Sequence, residues 1–180
     1  YSNLKTDIYM SAALEFIHAA TLLHDDVIDK GTIRRGQKSI NEIWNNKFSV
    51  LLGDFMFSKS FQLMTQGKSL KAMEHLSKVS SKISEGEFLQ LSNENNINLK
   101  STEYIKIISL KTAELCGAAL KIPAVLTEKD IKEINTLYKL GINFGIIFQI
   151  IDDTLDYFGD EKTGKQIGKD FMEGKVTLPI

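Results

Sequence analysis

Apolar side chains recur along most of this chain at intervals of three and four, the spacing of one helix face. From Leu4 to Asp29, Ile8, Ala12, Phe16, Ala19, Ala20 and Leu23 form one such stripe, and Gly31 is placed to stop the helix. Residues 31–40, which include Arg34, Arg35, Gly36, Gln37 and Ser39, read as a polar turn. Helical spacing resumes from Ile40 to Met64 and ends near Gly67. A third helix is predicted from about Leu70 to Leu91, and Ser92 to Asn98 has the composition of a loop. Another helix runs from Thr102 to about Leu120, broken before Pro123. The last long helix starts at Thr127, with Asp130 forming a capping-box-like pair, and runs to about Tyr157 before Gly159 stops it. No stretch keeps a period of two, so the predicted fold is all-α.

Residues 142–151 carry only two polar side chains, which predicts a helix buried among others. Gly141 and Gly145, four apart, would let another backbone come close. Phe48, Phe55, Phe57 and Phe61 are expected in the core and at a subunit interface. Trp44 and Cys116 read as packing residues.

Composition narrows the picture. A length of 180 residues without repeat or linker suits one domain spanning 1–180. The 22 basic residues are balanced by 23 acidic ones, which argues against nucleic acid as a partner. No run of eighteen apolar residues occurs, so no transmembrane segment is expected. The lone Cys116 cannot close an internal disulfide and suits a reducing, cytoplasmic setting.

Two acidic clusters stand out against the apolar stripes. Asp25-Asp26-Val27-Ile28-Asp29 and Asp152-Asp153-Thr154-Leu155-Asp156 share the pattern DDxxD. On a helix the first and fifth positions lie a turn apart on one face, with the second beside them. Three like charges in one turn repel, and the helix dipole disfavours acids near a C-terminus. A hard divalent cation is the natural relief. Mg²⁺ takes one or two carboxylates and completes its shell with water and phosphate oxygens. Two such clusters facing each other would therefore hold a diphosphate through Mg²⁺.

Basic residues follow both clusters. Arg34 and Arg35 come after the first, and Lys165, Lys169 and Lys175 come after the second. Lys111-Thr112 interrupts an otherwise apolar helix. Arg suits fork-like phosphate contacts, and Lys acts as a mobile point charge. Glu15-x-x-His18 matches half of a di-iron bundle site, but neither His24 nor His75 supplies the second half.

The run from Glu15 through His18 to Asp29, followed by Arg34-Arg35-Gly36, resembles the first Asp-rich motif of the trans-polyprenyl diphosphate synthases. Gly53-Asp54, Gly86-Glu87, Lys111-Thr112, Phe148-Gln149-Ile150-Ile151-Asp152-Asp153 and Gly174-Lys175 resemble that family's later motifs, in the family's order. The resemblance implies an isoprenoid synthase-type helical bundle with a central cavity, and a homodimer. It implies an enzyme that condenses isopentenyl diphosphate with an allylic diphosphate. The family's Gly-Gly-Lys-x-x-Arg segment and its last helices fall outside these residues, so the chain is expected to lack the N- and C-terminal helices.

By the same resemblance, Asp25, Asp26, Asp29, Asp152, Asp153 and Asp156 line the Mg²⁺ site. Arg34, Lys111 and Lys165 would hold the allylic diphosphate, with Lys175 closing over it. Arg35 and His18 would hold isopentenyl diphosphate. Phe148 and Gln149 would face the reacting centre, and Thr112 the forming cation. The growing product would leave along the first helix past Ala20, Thr21 and Ile17. Ala20 and Thr21 are small, and the first cluster has no two-residue insertion. Both features resemble the long-chain, octaprenyl-like branch. The alternatives are a farnesyl- or geranylgeranyl-producing enzyme and a non-catalytic subunit of a heteromeric synthase. A terpene cyclase fits less well, because cyclases usually carry an Asn/Ser/Glu second motif.

Overall fold

A computed structural model describes residues 4–158 and 168–179. The chain divides into two compact units, Tyr1–Glu74 and His75–Ile180.

In the first unit, α1 (Leu4–Ile28) packs on α3 (Asn46–Gln66). Between them come a ribbon of β1 (Ile33–Arg34) and β2 (Gln37–Lys38), then the short α2 (Ile40–Ile43). The buried line of α1 is Met10, Ala13, Ile17, Ala20 and Asp26, while Ile8 is exposed. The packed face is thus rotated from the stripe expected through Ile8, Ala12 and Phe16. The cause lies in α3, whose buried positions are Ser49, Gly53, Ser60 and Met64. Small residues set the close approach, and the Ser49 hydroxyl donates across it to the Leu23 carbonyl at 2.9 Å. Phe48, Phe55 and Phe61 are exposed on α3 and do not form this unit's core.

The helix expected from Ile40 to Met64 is split. Asn45 has left the helical region, and its side chain accepts from the Phe48 amide at 3.1 Å, starting α3 afresh. The polar turn folds as a two-residue hairpin, with Ile33 opposite Lys38 and Arg34 opposite Gln37. Its tip, Arg35-Gly36, has φ of 51° and 77°, so glycine suits the second position.

The second unit is built on α7 (Ile131–Phe158), against which α6 (Glu114–Leu126) packs. It also holds most of α4 (Leu70–Ser92), α5 (Ser101–Ile108) and the short α8 (Lys169–Met172). A single π-helical turn, Ser109–Ala113, joins α5 to α6. Pro123 sits inside α6, which ends only at Leu126, well past the expected end near Leu120. Thr127 terminates α6 instead of starting α7. Asp130 starts α7 by accepting from the Glu133 amide at 2.8 Å.

Gly141 and Gly145 permit the expected close approach. A Cβ on Gly141 would strike the Cys116 carbonyl, and one on Gly145 would lie 2.5 Å from the Ala113 Cα. The remainder of α7 departs from expectation, because Phe144, Ile147, Phe148, Ile151 and Leu155 are exposed. Only its small and acidic edge, Gly141, Gly145, Asp153 and Asp156, is buried. By length and composition α7 could cross a membrane, at mean hydropathy 1.3, although no uninterrupted run of eighteen apolar residues occurs. Core helices of soluble proteins can be equally long and apolar.

Candidate functional site

The first acidic cluster occupies the last turn of α1. Lys30, at φ 49°, turns the chain, and the Gly31 amide bonds back to the Asp26 carbonyl at 2.9 Å. The Lys30 amide reaches the Val27 carbonyl at 3.3 Å, which completes a Schellman-type stop. Three carboxylates are thereby left at the negative end of a helix.

They are not equivalent. Asp26 is buried and gripped by the hairpin: Arg34 Nε lies 2.9 and 3.0 Å from its two oxygens, and Nη2 lies 2.8 Å from Oδ1. The hydrogen bond to Asp26 is the main reason the Arg34 pKa is raised further. Asn41 braces the same turn, donating to the Gly31 carbonyl at 2.9 Å and the Asp26 carbonyl at 3.3 Å. Asp25 and Asp29 are half-buried. Arg35 is exposed at the hairpin tip.

Directly before Asp25 on α1, His24 lies against α3. Its Nε2 is 3.3 Å from the Val50 carbonyl and 3.4 Å from Asp54 Oδ1, and its ring stacks on Phe57. A Cβ on Gly53 would collide with the His24 ring, which explains Gly53-Asp54 as a unit. His18 and Thr21 are half-buried, and the Thr21 hydroxyl donates to the His18 carbonyl at 2.8 Å. Ile17 and Ala20 have no accessible surface.

In the second unit, the π turn carries Lys111 and Thr112. Gly86 of α4 admits it closely, since a Cβ there would lie 2.6 Å from the Lys111 amide nitrogen. Beside Gly86, Glu87 pairs with Lys111 at 2.5 Å. The next residue after the turn, Glu114, is buried and accepts from Lys82 at 2.5 Å and from the Tyr138 hydroxyl at 2.7 Å. Single-turn π segments often accompany functional sites, because the extra residue re-aims side chains.

The second cluster also sorts itself. Asp152 is half-buried, whereas Asp153 and Asp156 are buried. Asp153 accepts from the Tyr104 hydroxyl at 2.5 Å and from Gln149 Nε2 at 2.7 Å. Burial raises the Asp153 pKa, and these two donors pull it back. Gln149 Oε1 accepts from Thr112 at 2.9 Å. Phe148 is exposed beside it. Asp156 accepts from the Asp170 amide at 3.1 Å, and burial with the Asp156 charge pushes the Asp170 carboxyl up to about 6. Lys175 donates to Glu173 at 2.8 Å. Lys165 lies outside the described residues.

Among the described residues, no three His, Cys, Asp or Glu side chains gather closely enough to hold a metal alone. The donor set still suits Mg²⁺. Each unit taken by itself presents hard carboxylates on a partly open helix end, Asp25 and Asp29 in the first and Asp152 in the second, and Mg²⁺ needs only one or two of them when phosphate completes its shell. Tyr104, Asn41 and Glu114 had no sequence signal as site residues, because each acts through a partner distant along the chain.

The family model described as Polyprenyl synthetase matches residues 1–180. The chain is 44% identical to the octaprenyl diphosphate synthase of Escherichia coli, covering 96% of this chain and 54% of that protein. It is 40% identical to the all-trans-nonaprenyl-diphosphate synthase (geranyl-diphosphate specific) of Rhodobacter capsulatus, covering 99% and 55%. It superimposes on the crystal structure of a Caulobacter crescentus polyprenyl synthase complexed with calcium and isoprenyl diphosphate. That match has a TM-score of 0.91 at 48% identity, covering 95% and 52%. The chain thus spans about half the length of the relatives it matches.

Proposed function

Since the chain belongs to the polyprenyl synthetase family, whose solved members share its all-α fold, we propose that it forms the catalytic part of a long-chain trans-prenyltransferase. The reaction condenses isopentenyl diphosphate with an allylic diphosphate to give an octaprenyl-like, all-trans product. The observation that carries this reading is the pair of DDxxD clusters, each ending a long helix, in a chain similar to long-chain synthases.

Asp25 on α1, Asp29 just past its end, and Asp152 on α7 are the carboxylates this reading gives to Mg²⁺-diphosphate. Bound Mg²⁺ supplies charge that offsets the negative charge growing on the departing diphosphate. Lys111 adds a positive charge to the allylic diphosphate, and Arg35, free of the Asp26 grip, serves isopentenyl diphosphate with His18. Arg34 shares the allylic assignment, and its pairing with Asp26 keeps its charge beside Asp25 and Asp29. Lys165 and Lys175 belong to the same allylic assignment. The allylic C–O bond breaks with its electrons leaving on the diphosphate. The double bond of isopentenyl diphosphate then attacks the allylic carbon, a C–C bond forms, and the released diphosphate takes the proton. The hydroxyl of Thr112 and the amide oxygen of Gln149 present partial negative charge to the cation. Apolar surroundings such as Phe148 delay its capture by water. A cytoplasmic homodimer belongs to the same proposal, supported by the lone cysteine and the exposed aromatic residues of α3.

The test is consumption of isopentenyl diphosphate by the purified full-length protein with an allylic primer. Activity should require Mg²⁺. Asp25→Ala and Asp152→Ala should each cut turnover by orders of magnitude while helical circular dichroism stays intact. Full turnover in excess chelator would end the metal assignment, and inactivity of the protein alone would point to a heteromeric subunit.

A further inference from the structure

Both oxygens of Asp153 are already engaged by protein donors, Tyr104 on one and Gln149 on the other. Tyr104 and Asp153 are each only 4% exposed. Asp153 lies four residues after Gln149 on α7, so the two share a helix face. A carboxylate has no proton to donate, so the Gln149 group that meets it is the NH₂. That fixes the amide, and its oxygen is turned to the Thr112 hydroxyl at 2.9 Å. A continuous path therefore runs from Tyr104 on α5, through Asp153 and Gln149 on α7, to Thr112 in the π turn.

Resting on the prenyltransferase reading, we infer that Tyr104 and Asp153 are positioning residues that orient the Gln149 amide and, through it, Thr112. Asp153 then serves this path, and Asp152 carries the metal work of the second cluster. Without the Tyr104 hydroxyl, Asp153 Oδ2 loses its donor and the carboxylate can rotate. Gln149 then loses the contact that decides which end of its amide faces Thr112. Ring packing of Tyr104 is untouched by Tyr104→Phe, so the variant isolates the hydroxyl.

The experiment uses the full-length protein with Mg²⁺, both diphosphate substrates, and Tyr104→Phe, Thr112→Val and the double variant. Tyr104→Phe should lower kcat by about tenfold to a hundredfold, the range expected when a reacting geometry is loosened. KM for both substrates and the Mg²⁺ concentration for half activity should stay within about twofold, since uniform binding is not altered. The double variant should lose clearly less than the product of the two single losses, because both act through one path. If wild type is inactive, the prenyltransferase reading fails first. If wild type is active, three results overturn the inference. They are an unchanged kcat in Tyr104→Phe, a raised Mg²⁺ requirement, or losses that multiply in the double variant. If Tyr104→Phe does not fold, Asp153→Asn carries the same kinetic test, since it keeps the side-chain shape and an oxygen for Tyr104. Wild-type kcat in that variant would equally overturn the inference.

Discussion

Arg34 on the β1–β2 hairpin holds Asp26 at the end of α1 through three nitrogen–oxygen approaches of 2.8 to 3.0 Å. Asp26 is buried at the negative end of a helix, where the dipole opposes its charge. The hairpin is therefore the counterweight that lets a third carboxylate exist there.

Arg34→Ala should destabilise the protein by about 1–3 kcal/mol, because it leaves a buried carboxylate without its donor. Arg34 is 37% exposed, and entering water holds the cost below that of a fully buried broken pair. Urea unfolding of Arg34→Ala, and of Arg34→Ala with Asp26→Asn, measures it. The second change should restore much of the loss. A midpoint unchanged by the first would mean that Asp26 needs no partner.

Helix spacing, the two acidic clusters and the Gly141–Gly145 approach were legible in the sequence, since each is a pattern within one segment. The packed face of α1 was not. Both sides of α1 carry small or apolar residues, and only Ser49, Gly53 and Ser60 on α3 decide which side is used. The π turn was also hidden, because one extra residue in a helix changes no composition. Nor could sequence separate the six aspartates. Asp26 is distinguished by Arg34, and Asp153 by a tyrosine 49 positions away.

Gly86→Ala should harm both stability and the proposed reaction. Alanine favours helices by about 1 kcal/mol over glycine. Here its Cβ would lie 2.6 Å from the Lys111 nitrogen and 3.0 Å from the Leu110 carbonyl carbon, which are backbone atoms that cannot swing aside. Overpacking of this kind costs about 1–3 kcal/mol and displaces the π turn. The expected result is a lower melting temperature with a raised KM for the allylic diphosphate, as the Glu87–Lys111 pair shifts. A gain in stability with unchanged kinetics would show that α4 can move away freely.

His75 should make stability depend on pH. Burial, aided by Lys121, Lys82 and Lys78 and opposed by Glu114, lowers its pKa from 6.5 to about 4. Between these values the unfolded chain binds more protons than the folded one, so stability rises with pH. The contribution is complete above about pH 6.5 and is lost as pH falls toward 4. Partial solvent access to the ring limits it to about 1–2 kcal/mol. Its Nε2 is buried without a partner, so His75→Leu should be tolerated and should flatten this part of the profile. Thermal unfolding from pH 4 to 7.5 compares the two. Parallel profiles would remove His75 as the source.

Ala20 tests the product-length reading. It sits five residues, roughly 7 Å of helix, before Asp25, and it is fully buried with Ile17 while Thr21 is half-buried. In Ala20→Phe the ring must enter either the space kept for a growing chain or the packing between α1 and α3. The first would floor the product pocket after a few isoprene units. The second would only strain the core, at about 1–3 kcal/mol. The two differ in what they leave behind. A floor shortens the products while the first condensation keeps its rate, whereas strain lowers the melting temperature and leaves product lengths alone. The expected outcome is a shift of the dephosphorylated products to shorter chains, read by chromatography, with the first condensation preserved. Wild-type products that already end at fifteen or twenty carbons would place the chain in the short-product group, whatever Ala20 does.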